Sequence, residues 1–187
     1  MNIILACDQN FGIGHNDEKY KLPWHIKEDL QRFKCVTAHP NSILIMGKNT
    51  FLSLKKPLPN RMNFVVSSSL TKEHSFYNGF HFFNTFEFAY QYAKNLINIF
   101  QPNGEIWVIG GAQLYDYVIS NYKINKFYLT FIYYKYNCNV YLYQNTIEFI
   151  KNIQWNSCEI TKSKNVSLTF YIYDKSKNII INNNIKI

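Results

Sequence analysis

The feature that most constrains this chain is the run Leu22-Pro23-Trp24-His25-Ile26-Lys27-Glu28-Asp29-Leu30-Gln31-Arg32-Phe33. At helical spacing from Ile26, one face carries Ile26, Asp29, Leu30 and Phe33, and Lys27, Glu28, Gln31 and Arg32 fall on the other side. A carboxylate therefore interrupts an apolar stripe that should be buried. An ionised carboxylate in low dielectric is costly unless paired, and its pKa tends to rise. No base in the segment is placed to neutralise it, because Lys27 and Arg32 point away. Two readings stand: a mis-phased helix with Asp29 half exposed, or an acid held in a pocket because chemistry needs a proton there.

The rest of the chain alternates between short buried strands and helices. Asn2–Cys7 is a nearly continuous apolar run, as in a strand covered on both faces. Phe11-Gly12-Ile13-Gly14 follows, then the polar stretch 15–21, expected as a mobile surface loop, then the helix described above, to about Cys35. Ser42–Met46 predicts a second buried strand, Lys48–Leu54 a short helix and Met62–Val66 a third strand. Phe80–Phe83 predicts a short strand. Thr85 caps a long helix with Phe86, Ala89, Tyr90, Ala93 and Ile97 at i, i+3 and i+4 spacing. Glu105–Ile109 is a strand leading through Gly110-Gly111 into a helix ending near Ser120, and Lys126–Tyr133 is another strand. Trp155–Thr161 and Ser167–Asp174 alternate as an antiparallel hairpin.

This grammar predicts an α/β fold: a single three-layer domain over residues 1–175, with a mostly parallel central sheet, helices on both faces and an antiparallel C-terminal strand. Residues 176–187, rich in asparagine, are expected to be a loose tail. Ligands in such folds bind beyond the carboxyl ends of the strands, which gathers Ala6-Cys7, Gly47, Ser67, Ile109-Gly110 and Thr130 around one cleft.

Composition narrows the partners. The chain is 187 residues long, enough for a sizeable core, and its net charge of +8 raises the question of nucleic acid. The lysines are dispersed, however, and only Arg32 and Arg61 are arginine, whereas a nucleic-acid surface would show a clustered, arginine-bearing stripe. No apolar run approaches the roughly 18 residues of a membrane span. The N-terminus lacks the basic segment of a secretory signal and reads as a first strand. A cytoplasmic monomer with neither nucleic-acid nor membrane partner is the expectation. Cys7, Cys35, Cys138 and Cys158 are scattered and form no metal-ligand spacing with the histidines, so free, mostly buried thiols and no metal are expected.

Three signals converge on the cleft. Gly110-Gly111, between strand and helix, lets backbone approach a phosphate, although many tight turns share this pattern. Gly47-Lys48-Asn49-Thr50 offers a cation, a hydroxyl and helix N–H groups, or merely solvates a helix start; it lacks the glycine spacing of a P-loop. Pro57-Leu58-Pro59-Asn60-Arg61 puts an arginine on a stiff approach, where a guanidinium grips a carboxylate in two-point fashion or makes a simple surface salt bridge.

Taken together with Gly12-Ile13-Gly14, Leu22-Pro23-Trp24, Asp29, Phe33, Ile45-Met46-Gly47, Val108-Ile109-Gly110-Gly111, Tyr115 and Leu129-Thr130, these motifs resemble those of the dihydrofolate reductases, in order and approximate spacing, from Ile4 to about Asp174. The resemblance implies hydride transfer from NADPH to C6 of 7,8-dihydrofolate with protonation at N5, giving tetrahydrofolate for one-carbon metabolism. It assigns catalytic roles to three residues. Asp29 would hydrogen-bond the pterin, Thr130 would support Asp29, and Trp24 would help order the water that brings the proton.

For the substrate, the resemblance implies walls from Ile4, Leu5, Ala6, Leu22, Leu30 and Phe33, continued by Leu54, Leu58 and Tyr115. The Ile4 and Ile109 carbonyls would accept from the pterin edge, and Arg61 would take the glutamate α-carboxylate. For NADPH it implies Lys48, Asn49 and Thr50 after Gly47, then Ser67 and Ser68. It adds the turn and helix Ile109, Gly110, Gly111, Ala112, Gln113, Leu114 and Tyr115, with Ala6, Ile13 and Gly14 near the nicotinamide.

Three places depart from the family's pattern. The loop between Gly14 and Leu22 is longer. Cys138-Asn139-Val140 stands where many members carry a Gly-Asp-Thr type turn that steadies that loop. Ser68 stands where some carry a basic residue, leaving Lys48 or Lys72 to read the cofactor's 2′-phosphate. Competing readings are a reductase of a ribosylated pyrimidine in riboflavin synthesis, which should lack the Asp29 and Arg61 pair, a non-catalytic binding module of the same fold, and a basic nucleic-acid binder.

Overall fold

A computed structural model describes residues 1–17, 22–39, 41–70, 76–100, 103–163 and 165–177. The parallel core uses β1 (Asn2–Asp8), β3 (Ser42–Gly47), β4 (Arg61–Val66), β6 (Phe80–Phe83), β7 (Ile106–Val108) and β8 (Lys126–Ile132). With β5 (Phe76–Tyr77), β10 (Ser157–Ser163) and β11 (Val166–Asp174) they form a nine-stranded sheet in the order β10-β11-β8-β1-β7-β3-β4-β6-β5. Pairing is parallel from β8 through β6, while β11 runs antiparallel to β8, and β5 to β6.

Alternation along the strands explains the layers. Ile3, Leu5 and Cys7 of β1 and Ile43 and Ile45 of β3 join one core, against residues of α3 (Phe86–Phe100), α4 (Ala112–Asn121) and α5 (Gln144–Asn152). Ile4, Leu44 and Met46 face the other way, against α1 (Lys27–Thr37) and α2 (Lys48–Ser53). A strand buried on both faces must be apolar at every position, which is why these runs are continuous.

β7 enters the sheet between β1 and β3. The chain therefore switches direction of growth at β1 and β7, and a crevice opens beyond their carboxyl ends. A separate two-stranded ribbon, β2 (Gly12–Gly14) with β9 (Val140–Tyr141), stands over that end. Its turn is anchored by Asp8, fully buried, whose Oδ1 accepts from the N–H groups of Asn10 (2.9 Å) and Gly12 (2.8 Å) and whose Oδ2 accepts from Tyr136 N–H (2.9 Å). Gly12 is required there: a Cβ would lie 2.6 Å from Cys138 Cβ.

Several expectations need correction. The first helix runs two residues beyond Cys35, to Thr37. β2, β5, β9 and α5 went unread. Only Cys7 and Cys138 are buried; Cys35 on α1 and Cys158 on the edge strand β10 are exposed, because each lies on a side with no layer over it. All four are free thiols. Among the described residues no group of His, Cys, Asp or Glu is arranged to hold a metal, and no helix is long and apolar enough to cross a membrane. Residues 18–21 of the expected mobile loop, Lys72, and residues 178–187 of the expected tail lie outside the described residues.

Candidate active site

The carboxyl ends of β1, β3, β4 and β7 open into a cavity of about 1220 Å³. That exceeds the roughly 300–1,000 Å³ of a typical small-molecule site, so there is room for two ligands side by side.

Asp29, on the first turn of α1, lines this cavity at 8% exposure. Burial raises its pKa above the usual carboxylate value, while the Thr130 hydroxyl, the Arg32 guanidinium and the Trp24 indole pull the other way. Thr130 backs the acid from β8, itself buried and behind the cavity wall rather than in it. Trp24 is likewise buried behind the wall, against Tyr136, and its Nε1 faces the Asp29 carboxylate without completing a well-formed hydrogen bond among the described residues. A buried donor without a partner costs about 1–3 kcal/mol, so this N–H suits a site whose ligand or water completes it.

Arg32 does not point away. Its Nη1 donates to the Leu129 carbonyl (3.1 Å) and to Thr130 Oγ1 (3.2 Å), and its Nη2 donates to the Tyr171 carbonyl (3.0 Å). The guanidinium lies over the Phe170 ring at 4.5 Å and the Tyr128 ring at 5.3 Å. A residue three positions on is only about 60° around the helix from Asp29, and arginine is long enough to turn under it. Nor is the stripe uniformly buried: Leu30 is 41% exposed, and like Leu22 before the helix, 46% exposed, it faces the open cavity instead of a core.

One half of the cavity is greasy. Ile4, Leu5 and Ala6 of β1 form its floor, Leu22, Leu30 and Phe33 one wall, and Leu54 and Leu58 the other. Ile109 and Tyr115 close the inner end. The buried Tyr115 hydroxyl, its pKa pushed far up by burial, donates to the Ile4 carbonyl at 2.9 Å. That carbonyl keeps one lone pair for a ligand.

Arg61 stands outside this wall, at its rim. Its Nε donates to the Pro59 carbonyl (3.0 Å), its Nη1 to Thr37 Oγ1 (2.7 Å), and the guanidinium lies 5.8 Å from the Phe33 ring centre. Among the described residues no carboxylate pairs with it.

The other half is polar. Ile13 and Gly14 of β2, then Gly47, Lys48, Asn49 and Thr50, then Ser67 and Ser68 all border it, as do Gly110, Gly111, Ala112, Gln113 and Leu114. Gly110 has φ 124°, and a Cβ on it would meet Thr50 Oγ1 at 3.0 Å and Tyr115 Oη at 3.4 Å, so only glycine serves. Gly111 caps α4 without a side chain, leaving the first N–H groups of that helix toward the cavity. Lys48 Nζ donates to Ser69 Oγ at 3.1 Å, and Ser69 and Ser67 share a 3.2 Å hydrogen bond. The sequence reading omitted Ser69, although the run Ser67-Ser68-Ser69 advertised it. It also omitted Glu87, Asp116 and Tyr117 at the outer end, which no local motif marks.

The departure at Cys138-Asn139-Val140 has a visible substitute. Asn139 Oδ1 accepts from Asn16 N–H at 2.9 Å, and Asn139 N–H donates to the Gly14 carbonyl at 3.1 Å. The start of the longer loop is thus tied to β9 by an asparagine.

Comparison with known proteins agrees with this arrangement. The dihydrofolate reductase family model matches residues 1–175. The chain is 38% identical to a dihydrofolate reductase of Buchnera aphidicola over 133 residues, 71% of each protein. It is 37% identical to dihydrofolate reductase type 9 of Escherichia coli over 131 residues, covering 70% of this chain and 68% of that one. With a bifunctional dihydrofolate reductase-thymidylate synthase of Paramecium tetraurelia it shares 34% identity over 165 residues, 88% of this chain but only 32% of that longer protein.

Proposed function

The chain belongs to the dihydrofolate reductase family, whose members are oxidoreductases, and from that premise we propose that it reduces 7,8-dihydrofolate to tetrahydrofolate with NADPH. The observation that carries the reading is Asp29, a buried acid lining a cavity whose other walls divide into an apolar set and a polar one. NADPH, when bound, supplies the hydride for C6 of the substrate. Everything else falls to residues of the chain.

On the polar side, Lys48, Thr50, Ser67, Ser68 and Ser69 offer one cation and four hydroxyls to a phosphorylated ligand. The close approach at Gly110 and the free N–H groups of α4 suit a pyrophosphate. With Ser68 in place of a basic residue, Lys48 is the described lysine on this wall, and discrimination of NADPH from NADH rests on it.

On the apolar side, the slot between Ile4, Leu30, Phe33, Leu54 and Leu58 takes flat rings and excludes water. Asp29 holds the pterin edge and raises the proton affinity of N5. Thr130 keeps the carboxylate oriented, and the Trp24 N–H serves the water that delivers the proton. Arg61 lies where the slot reaches solvent and takes the glutamate α-carboxylate, its remaining guanidinium donors being free of any carboxylate among the described residues. A cytoplasmic monomer is the setting we propose.

The test is absorbance at the NADPH band with dihydrofolate added, repeated with NADH. We expect consumption of NADPH and slower consumption of NADH. No consumption of either overturns the reading.

A further inference from the structure

We propose that Arg32 is a positioning residue for the proton step, acting on Asp29 by its charge and through the hydroxyl of Thr130. The inference rests on the reductase reading above and adds a component to its site. A guanidinium carries only donors. Where Arg32 Nη1 donates to Thr130 Oγ1 at 3.2 Å, it occupies an acceptor lone pair of that oxygen. The hydroxyl hydrogen is then left for Asp29, whose charged form it favours.

The guanidinium is itself immobilised. Two carbonyls from different strands, Leu129 of β8 and Tyr171 of β11, accept from its two terminal nitrogens, and Phe170 lies against its face. This clamps α1 to the sheet behind the acid, one turn along the same helix. The planar fork reaches both strands and the hydroxyl together, whereas lysine in its place would keep the charge and lose most of the clamp.

Among the described residues, the groups around the pair leave Arg32 as the cation acting on the acid. Facing Asp29 are Cys7 from β1, Tyr115 from α4, Thr130 from β8 and Trp24 from the segment before α1; burial keeps the Cys7 thiol and the Tyr115 phenol protonated. Facing Arg32 are Asp29, Tyr128 of β8 and Glu159 of β10. Burial lowers the Arg32 pKa only to about 10, so it stays charged near neutral pH.

The direction of the effect follows from charge alone. Asp29 and the substrate N5 titrate as a pair, so the rate reports a macroscopic value of both. Removing a nearby positive charge makes protonation of either member easier. The pH at which hydride transfer falls to half its maximum therefore moves upward.

The experiment is the pH profile of hydride transfer in wild type, Arg32→Met and Arg32→Lys, with thermal melting of each. We expect the descending limb of Arg32→Met to move up by roughly one pH unit, Arg32→Lys to restore most of the shift, and the KM for NADPH to stay unchanged in both. A uniform loss of rate at every pH, with the limb in place, means Arg32 only holds the fold together and overturns the proposal. If Arg32→Met does not fold, Arg32→Gln, which keeps a donor and drops the charge, decides in the same way: a raised limb supports, an unmoved limb refutes. Absence of wild-type turnover at any pH instead removes the reductase reading, and is distinguished by that from a limb that stays still in an active enzyme.

Discussion

The Tyr115 hydroxyl donates a 2.9 Å hydrogen bond to the Ile4 carbonyl, joining the first turn of α4 to the middle of β1 across the floor of the cavity. Both residues are buried, so the pair is shielded from water. The same contact fixes the helix whose N-terminus faces one ligand and the strand whose backbone faces the other. Tyr115→Phe removes the donor and leaves the Ile4 carbonyl short of a partner. We expect a loss on the order of 1–2 kcal/mol in stability by urea unfolding, with weaker binding of both NADPH and dihydrofolate. A change confined to one ligand would show that the contact does not couple the two halves.

Arg61→Lys tests the rim. Lysine keeps the charge but loses the planar fork and the simultaneous anchoring on Pro59 and Thr37. The KM for dihydrofolate should rise about tenfold, which is ~1.4 kcal/mol, while that for NADPH stays level. Equal effects on both constants would remove the carboxylate assignment.

Asn139→Ala tests the tie between the long loop and β9. The hydrogen bond to Asn16 is exposed, so the melting temperature should hardly move, with a cost within about 0.5 kcal/mol. Dissociation of NADPH, followed by stopped-flow fluorescence, should quicken. An unchanged rate would mean that the ribbon does not restrain the loop.

Asp29→Asn tests the strain of burying the acid. The folded-state pKa of Asp29 is raised by burial, so the unfolded chain releases this proton first. Stability therefore falls as pH rises from the unfolded value, ~3.9, through the folded one. The amide has no proton to release. Its melting temperature should equal or exceed that of the wild type near neutral pH, with the gap closing toward about pH 4. A gap that widens in acid would contradict a raised pKa.

Much of this site could be read along the chain, and the reasons differ by residue. Ile3 to Cys7 and Ile43 to Met46 announced buried strands because a sheet covered on both faces demands apolar side chains at every position. Asp29 announced itself by breaking an apolar stripe. Arg32 did not, because a helical wheel records where a side chain leaves the backbone and says little about where a long one ends. Leu30 misled for the opposite reason: its stripe faces a cavity, and a cavity wall has the same pattern as a core. The β2–β9 ribbon was illegible since three residues against two carry no periodicity, and what holds it, Asp8 and Asn139, acts across 128 and 123 positions of sequence. The long-range placement of Asp29 beside Thr130 came from a resemblance, and only the fold supplies its physical cause, the hydrogen bonds by which Arg32 ties α1 to β8 and β11.

The central claim is that a single buried carboxylate handles the proton while NADPH is consumed. The most direct measurement is the rate of NADPH loss with dihydrofolate near neutral pH, for wild type and for Asp29→Asn shown to be folded. The account predicts steady consumption by the wild type and a rate lower by about 100-fold or more in the variant. Wild-type speed in folded Asp29→Asn would contradict it.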